Sequence, residues 1–273
     1  MLASILQITL FSYLFYRLIS RQGGSVNRLH FTPPFCPSAL PSWGCPHCSD
    51  GALALVKKSL RVEETSESKK DRSHPDWDPE WIRQRFSILL RCGQCHEPVF
   101  AVGNVRLKED HDDVHGWSLA DALVPTFFEP APPVIRIPPA CPKEVGAEVT
   151  GASALYWSSP SSAANRIRAA IERLMDDRGI SRKGKTKNGK FVDLTLHARI
   201  ERFATKNQEV GQTLLAIKWL GNTGSHSMDL TADDMLDAFE LLLHALEEIY
   251  ESKSFRLKKL ASSIIKKKGP VTK

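Results

Sequence analysis

The chain has 273 residues, of which 42% are hydrophobic and 25% are charged, and its 37 basic and 31 acidic side chains give a net charge of +6. This length is sufficient for two domains, and the composition is that of a soluble globular protein, which excludes a largely disordered chain. Basic residues crowd two segments, 178–190 and 253–268. Each segment indicates either contact with a polyanionic partner or mere exposure to solvent, as a linker in the first case and a frayed C-terminal end in the second.

An apolar N-terminal extension is predicted over residues 1–30. Its run from Leu2 to Ile19 is interrupted by polar residues and is short of the roughly 20 residues that span a bilayer. No basic segment precedes it and no small-residue cleavage site is clear after it, which disfavours a secretory signal. Three interpretations remain: an N-terminal membrane anchor, an apolar tail, or a translation start further downstream. Each of them leaves the main body in the cytoplasm.

Two pairs of cysteines stand out in the next segment. CPHC occupies Cys45–Cys48 and CGQC occupies Cys92–Cys95. Two CxxC pairs have the spacing of a structural zinc site, in which each pair forms a tight turn and four thiolates complete a tetrahedron. Strands are predicted at Leu53–Val62, Gln84–Arg91 and Glu97–Leu107, with a polar insertion at 63–81. Residues 31–105 are therefore predicted to be a small β zinc ribbon.

Other roles for these cysteines fit less well. A disulfide is disfavoured in the cytoplasm, and a redox role for one CxxC would require a thioredoxin-like βαβ context that is absent here. His47 and His96 lie within the motifs, but the four cysteines Cys45, Cys48, Cys92 and Cys95 already fill the ligand positions. Because no position remains open for a substrate, the zinc ion is expected to be structural and not catalytic.

A Pro-rich linker is predicted at residues 106–143. It opens with an acidic, His-containing stretch, KEDHDDVHGW, and continues with VPTFFEPAPPVIRIPPACPKE. The prolines disfavour helix and favour extended structure. Side chains around His111 and Asp112 could bind a metal ion opportunistically, but a solvated acidic loop is the favoured interpretation.

From residue 144 the apolar period becomes helical. Helices are predicted at Glu144–Ser158, from Pro160 to a stop at Gly179, at Leu194–Thr205 and Val210–Leu220, and after Thr231. Ser159 and Thr231 are predicted to be N-caps. A final basic amphipathic helix follows at about 255–268. Residues 144–268 are thus predicted to be an all-α, up-and-down helical bundle with a basic loop at 180–190.

The stretch TLLAIKWLGNTGSHS, residues 213–227, begins as an apolar helix and then becomes small and polar. Lys218, Asn222 and His226 are spaced four apart, so they would share one face of a continuing helix. The two glycines among them allow a backbone or a phosphate to approach closely. The alternative is a helix C-cap, with Asn222 or a following glycine in the left-handed conformation and His226 an ordinary turn residue.

The motifs together resemble a known family. These motifs are the head CPHC…CGQC, followed by SSAANRIRAAIERLMDDRGI, LHARIERF and LAIKWLGNTGSHS. They are similar to those of a bacterial family named only as a domain of unknown function. That family is itself similar to the HEPN helical superfamily. The resemblance runs from about Phe31 to the end of the helices. It implies an up-and-down HEPN-like bundle, commonly dimeric, and in many members a metal-independent ribonuclease of toxin–antitoxin or phage-defence systems.

The same resemblance implies the candidate catalytic residues. The active motif of that superfamily is an Arg, a polar residue, and a His a few positions later, so Asn222 and His226 match its last two members. Gly221 stands where the active enzymes have Arg. Lys218 is the nearest basic substitute, although a lysine clamps a phosphate less well than the forked guanidinium of an arginine. Arg166, Arg168 or a residue of a dimer mate are alternative sources of the cation.

Two classes of function therefore remain open. The first is an effector of bacterial defence or toxin type that binds and cleaves RNA. The second is a non-catalytic module whose zinc ribbon and helical bundle bind a protein or nucleic-acid partner. The expected partners are RNA, a cognate protein such as an antitoxin or a restriction-system component, and a second copy of the chain. No stable membrane partner is expected.

Overall fold

The computed structural model describes residues 26–48, 50–112, 116–186, 188–223, 230–251 and 253–269. The N-terminal part is rich in β-structure and the C-terminal part is helical. This division agrees with the predicted order of a β head followed by a helical region, but the predicted all-α character of 144–268 is wrong at 183–193, where a short two-stranded hairpin is inserted between helices. Among the described residues, no helix has both the length and the apolar content that crossing a bilayer requires.

The β-rich part contains an antiparallel sheet whose central strand was predicted almost to the residue. Its strands are β1 (Leu53–Leu55), β2 (Arg61–Glu64), β3 (Gln84–Cys92), β4 (Pro98–Asp112) and β5 (Gly116–Glu129). β3 pairs with β1 and β2 on one side and with β4 on the other, and β4 pairs with β5. The single strand predicted at Leu53–Val62 is divided into β1 and β2, because the chain turns at Lys58, which has a positive φ of 63°.

The polar insertion between β2 and β3 contains a short helix, α1 (Ser66–Asp71), and a 3₁₀ turn at Pro79–Trp81. Thr65 caps α1 through its side chain. Ser68 of α1 is fully buried, and its hydroxyl donates to Glu64 at 2.8 Å and accepts from the backbone N–H of Arg83 at 3.1 Å. These bonds attach the insertion to the sheet.

The segment 106–143 is only partly the linker that its composition predicted. It contains the end of β4 and all of β5, which pair from Phe100↔Glu129 to Asp112↔Gly116. The prediction failed because it gave weight to the prolines. Pro125 lies at the register shift between Val102 and Gly103, where the strand tolerates a residue without an N–H group. Residues 130–142 lack strand and helix and connect the sheet to the first long helix.

The acidic loop that was considered as an opportunistic metal site falls at the β4–β5 turn. Residues 113–115 lie outside the described residues, and so do the side chains of 108–119. The favoured interpretation, a solvated acidic loop, is wrong over 108–112 and 116–117, because these residues pair in β4 and β5, and it stays a prediction only for residues 113–115.

Six helices follow the sheet in the described part of the chain. They are α2 (Lys143–Tyr156), α3 (Pro160–Asp177), α4 (Leu196–Ala204), α5 (Gln208–Thr223), α6 (Ala232–Tyr250) and α7 (Lys253–Lys267). The predicted caps are confirmed: the Ser159 side chain accepts from the N–H of Ser162, and Thr231 forms a capping box with Asp234. The basic loop at 180–190 contains the first strand of a small hairpin, β6 (Lys183–Lys185). The second strand, β7 (Phe191–Asp193), follows directly after the loop.

One continuous hydrophobic core joins the sheet to the helices, and the residues just after position 25 belong to it. Val26 and Phe31 are buried, Phe31 lies edge-on to Tyr156, and the Tyr156 hydroxyl donates to the Phe31 carbonyl at 2.7 Å. Arg28 forms ion pairs with Asp237 and Glu240 of α6. The predicted extension of residues 1–30 is therefore wrong over 26–30, because these residues pack on the helices. Residues 1–25 lie outside the described residues.

A buried ion pair ties α3 to α4. Arg199 is only 4% exposed and donates to Asp176 at 2.6 Å and to the Ile180 carbonyl at 2.8 Å. Arg182 donates to the other carboxylate oxygen of Asp176 at 2.5 Å. The hydrogen bonds from Arg182 and then Arg199 lower the pKa of Asp176 to about 2.

The pKa of Asp176 predicts a pH-dependent contribution to stability. Since the folded pKa lies below the unfolded value of about 3.9, the stabilisation is complete above about pH 4 and is lost as pH falls toward 2. We expect Asp176→Asn to lower the free energy of unfolding at pH 7 by about 2 kcal/mol in urea titrations, and the difference from wild type to shrink below pH 4. Asp193→Asn, at an exposed position, is the control. A deficit that does not change with pH would contradict this assignment.

Candidate functional site

The four paired cysteines converge at one end of the sheet. Cys45 and Cys48 lie just before β1, Cys92 ends β3, and Cys95 lies in the turn before β4. Because β1 pairs antiparallel with β3 and places Leu53 opposite Cys92, the two CxxC turns lie side by side. Their four sulfur atoms are all within 4.8 Å of one another.

The spacing of the sulfurs fits a tetrahedral metal ion. The Sγ–Sγ distances are 3.6 Å between Cys45 and Cys95 and 3.7 Å between Cys48 and Cys92. Four thiolates at about 2.3 Å from a zinc ion lie about 3.8 Å apart at the corners of a tetrahedron. The four cysteines can therefore hold a metal ion, and the geometry is compatible with structural zinc.

Backbone N–H groups point at the sulfurs of this cluster. The N–H of His47 donates to Cys45 Sγ at 3.4 Å, and the N–H groups of Gln94 and Cys95 donate to Cys92 Sγ at 3.3 and 3.5 Å. The bonds from Cys95 and Gln94 lower the pKa of the Cys92 thiol to about 6. At Cys92 they thus favour the thiolate, which is the form that binds metal ions, whereas burial and the neighbouring thiols raise the pKa of Cys95.

Gly51 leaves room for the cluster, and this predicts the effect of its substitution. A Cβ at position 51 would lie 2.2 Å from Cys92 Sγ and 3.1 Å from Cys48 Sγ. We expect Gly51→Ala to weaken metal binding by tenfold or more, on the order of what altered support of a metal site costs. Titration with a competing chelator measures this. Gly93→Ala is the matched control in the other turn, since a Cβ there has nothing nearer than 3.9 Å; equal affinities of the two variants would contradict the prediction.

The predicted catalytic residues are only partly described. α5 extends through Asn222 to Thr223, so Lys218 and Asn222 lie four residues apart on one continuous helix. The Asn222 side chain lies outside the described residues, and so do His226 and the segment 224–229. The proposed shared face with His226 therefore stays a prediction, whereas the alternative of Asn222 as a left-handed C-cap is wrong because Asn222 is helical, and only a cap at the following glycine stays a prediction.

Lys218 belongs to a small group of aromatic and charged side chains. It is partly buried, and its Nζ lies 3.7 Å from the centroid of the exposed Trp219 ring. On the other side, the His197 ring of α4 lies 6.1 Å from the Trp219 ring. His197 Nε2 is 3.5 Å from the Glu201 carboxylate, and Nδ1 is buried without a hydrogen bond from any described residue.

A cleft beside Lys218 brings in residues of α3. It is lined by polar side chains of Asn165, Arg168 and Lys218 and by apolar residues of α3, α5 and α6. Arg168 is half exposed and 3.8 Å from Glu172, whereas Arg166 is held by Glu148 at 2.9 Å. Of the two arginines that the sequence offered as alternative cations, Arg168 is therefore the one beside Lys218.

Three residues of this region were not singled out from the sequence. Asn165, His197 and Trp219 are distant in the chain or lie within apparently ordinary helices. The one available signal was Trp219, a large aromatic at a position that the packing of α5 leaves 57% exposed. The proximity of Asn165 and His197 to Lys218 and Trp219 depends on the packing of α3, α4 and α5, which periodicity does not predict.

Comparisons with protein families match both parts of the chain. Residues 33–128 match the family model described as Domain of unknown function (DUF8608), and residues 150–268 match the one described as Domain of unknown function (DUF4145). Neither a curated protein nor a solved structure matches. The first match covers the cysteine cluster and almost the whole five-stranded sheet, and the second covers the helices up to α7. Two matches to domains of unknown function are consistent with the expected resemblance at this level.

Proposed function

We propose that this protein is a HEPN-like effector that binds RNA and cleaves it without a catalytic metal ion, with a zinc ribbon as a structural head. The observation that carries the proposal is that Arg168 of α3 and Lys218 of α5 line one cleft. The last turn of α5 bears Asn222, and the chain leads on from there to His226. The cleft is narrow, about 10 Å³, and mostly apolar, so the phosphate would lie at its rim beside the two cations, and the exposed part of the Trp219 ring would provide a surface on which a base can stack.

The chemistry would use the ribose of the substrate as its nucleophile. A base removes the proton of a 2′-OH, the 2′-oxygen attacks the adjacent phosphorus, and the bond from phosphorus to the 5′-oxygen breaks as that oxygen receives a proton. The products are a 2′,3′-cyclic phosphate and a 5′-OH. His226 would transfer the protons, because an imidazole can both accept and donate a proton under mild conditions. Lys218 and Arg168 would stabilise the charge that develops on the phosphate, and Asn222 would orient a phosphate or a sugar hydroxyl.

The hairpin of β6 and β7 supports an RNA substrate. Phe191 is 68% exposed, and Lys185 Nζ lies 5.2 Å from its ring centroid. Lys183 and Lys190 of the same segment are exposed as well. Exposed aromatic rings with lysines around them are typical of surfaces that bind single strands by stacking and phosphate contacts.

The metal cluster would be structural in this proposal. Four protein thiolates would hold the zinc ion and leave no position for a substrate, so the ion would stabilise the turns that carry β1, β3 and β4. A zinc ribbon is thus compatible with the cluster and the antiparallel strands around it.

One sequence feature favours the second function, a non-catalytic module that binds a protein or nucleic-acid partner. Gly221 stands where the resemblance implies an arginine, and the Lys218 ammonium already lies over an aromatic ring. In that case the same cleft would bind RNA, or a cognate protein such as an antitoxin, without cleaving it.

Binding to a fluorescent single-stranded RNA, followed by anisotropy, tests the proposal. We expect Lys218→Ala and Arg168→Ala each to weaken binding about tenfold, because each removes a cation from a phosphate site. Lys206→Ala is the matched control, since this exposed lysine precedes α5, whose first residue lies about 15 Å along the helix axis from Lys218. If wild-type protein does not bind RNA, or if all three variants bind equally well, this cleft is not an RNA site.

A further inference from the structure

The last helix exposes an apolar face that nothing in the described chain covers. On α7, Leu257, Leu260, Ile264 and Ile265 are 54%, 50%, 43% and 75% exposed. They are spaced i, i+3, i+7 and i+8, so they lie on one side of the helix. The neighbour of α7 among the helices is α6, from which the chain leads into it. An isolated helix of this length is only marginally stable in water, so a face of this kind calls for a partner.

The charge of α7 limits what that partner is. The helix sequence, KSFRLKKLASSIIKK, contains six basic residues and no acidic one. Lys259, Lys266 and Lys267 are exposed and lie away from the centre of the apolar face. The partner must therefore offer both an apolar phase and negative charge.

We propose that α7 binds reversibly to the surface of an anionic lipid bilayer, lying in its plane. The apolar face would enter the boundary between headgroups and acyl chains, and the lysines would stay among the headgroups. The field of an anionic bilayer extends over a Debye length of about 8 Å, which is comparable with the helix diameter of about 10 Å. Such a surface attracts the cations on every side of the helix.

Other partners would contact either the basic side chains or the apolar face of α7, but not both fully. A nucleic acid would pair with the lysines but would leave Leu257, Leu260 and Ile264 in water. A groove on a second protein would cover those side chains but would reach only the cations next to them. A bilayer surface engages both the exposed apolar stripe and the lysines beside and opposite it.

This association differs from the membrane contacts considered from the sequence. α7 has 15 residues, fewer than the roughly 20 that span a bilayer, and it is not continuously apolar. The expectation of no stable membrane partner is consistent with reversible binding of one amphipathic helix. The inference does not depend on the proposed RNA chemistry, because its residues lie outside that cleft.

Sedimentation of the full chain with lipid vesicles tests the proposal. We expect binding to vesicles of phosphatidylcholine with about one third phosphatidylserine, little binding to phosphatidylcholine alone, and release by added salt. The double variant Leu260→Ser/Ile264→Ser should lower partitioning by about 100-fold, because both exposed anchors are lost. Ser262→Ala, on the polar side of the same helix, should bind as wild type does.

A second variant separates charge from apolar contact. Lys266→Gln/Lys267→Gln leaves the apolar face intact and should lower binding to the anionic vesicles by about 20-fold, at about fivefold for each charge. Because all these positions are exposed, each variant should keep the melting temperature of wild type. Unchanged sedimentation of the Leu260→Ser/Ile264→Ser protein would overturn the proposal, as would equal binding to both lipid compositions. It would also be overturned if vesicles do not bind and this variant instead converts a dimer into a monomer or weakens RNA binding.

Discussion

Replacing Cys92 by Ser is expected to destabilise the β-rich part of the protein strongly, and this is the largest effect on stability that the structure predicts. Cys92 ends β3, the strand that pairs with β1, β2 and β4, and its sulfur accepts two backbone N–H bonds. Loss of one ligand opens the metal site, and structural zinc sites contribute on the order of 10 kcal/mol to the folding of small domains.

The effect of Cys92→Ser can be followed by two measurements. Elemental analysis should find about one zinc ion per wild-type chain and much less in the variant. Thermal unfolding should show the β-rich part melting at a lower temperature, and removal of the metal ion from wild type with a strong chelator should reproduce this. Cys36→Ser is the matched control, because Cys36 is exposed and lies outside the cluster. Metal-free wild-type protein made under reducing conditions, with an unchanged melting temperature, would contradict a structural metal site.

The second large effect is expected at His226. If this residue transfers protons in RNA cleavage, His226→Ala should lower the cleavage rate by about 10²–10⁴-fold and leave the melting temperature close to that of wild type. The same variant should relieve any toxicity of the protein in cells. A loss of several kcal/mol in stability, together with wild-type protein that neither binds nor cuts RNA, would instead favour a structural helix end and the binding-module function.

Gly221→Arg is the complementary variant, which we expect to raise the rate of RNA cleavage. The substitution places an arginine where the resemblance to active enzymes implies one, beside Asn222 on α5. Its bidentate guanidinium binds a phosphate better than the lysine one turn earlier, so cleavage by the variant should be faster than by wild type. Unfolding of the variant would show instead that Gly221 is required for close approach of another element.

Features that depend on local sequence could be predicted. The CxxC spacing predicted four cysteines at one site, the apolar period predicted the helices, and the caps at Ser159 and Thr231 lie where they were expected. These signals are local because each turn, cap or helical stripe is determined by residues a few positions apart.

Features that depend on distant contacts could not be predicted. The strand β5 was hidden in a Pro-rich segment, because its pairing with β4 is not visible in composition. The burial of Val26 and Phe31 depends on helices more than 100 residues later in the chain. The same holds for the cleft, where Arg168 meets Lys218 only through the packing of α3 against α5. Sequence patterns offered both residues as cations, but they did not show that the two share a cleft.

The most direct test of the proposed function is to identify the products of RNA cleavage by the purified protein in buffer without added divalent ions. We expect a single-stranded oligoribonucleotide to be cut to products with a 2′,3′-cyclic phosphate and a 5′-OH. The same oligonucleotide with 2′-O-methyl groups should not be cut, because its nucleophile is blocked. We also expect His226→Ala to abolish this activity. Intact RNA after incubation with wild-type protein, or cleavage of the 2′-O-methyl substrate, would contradict the proposed function.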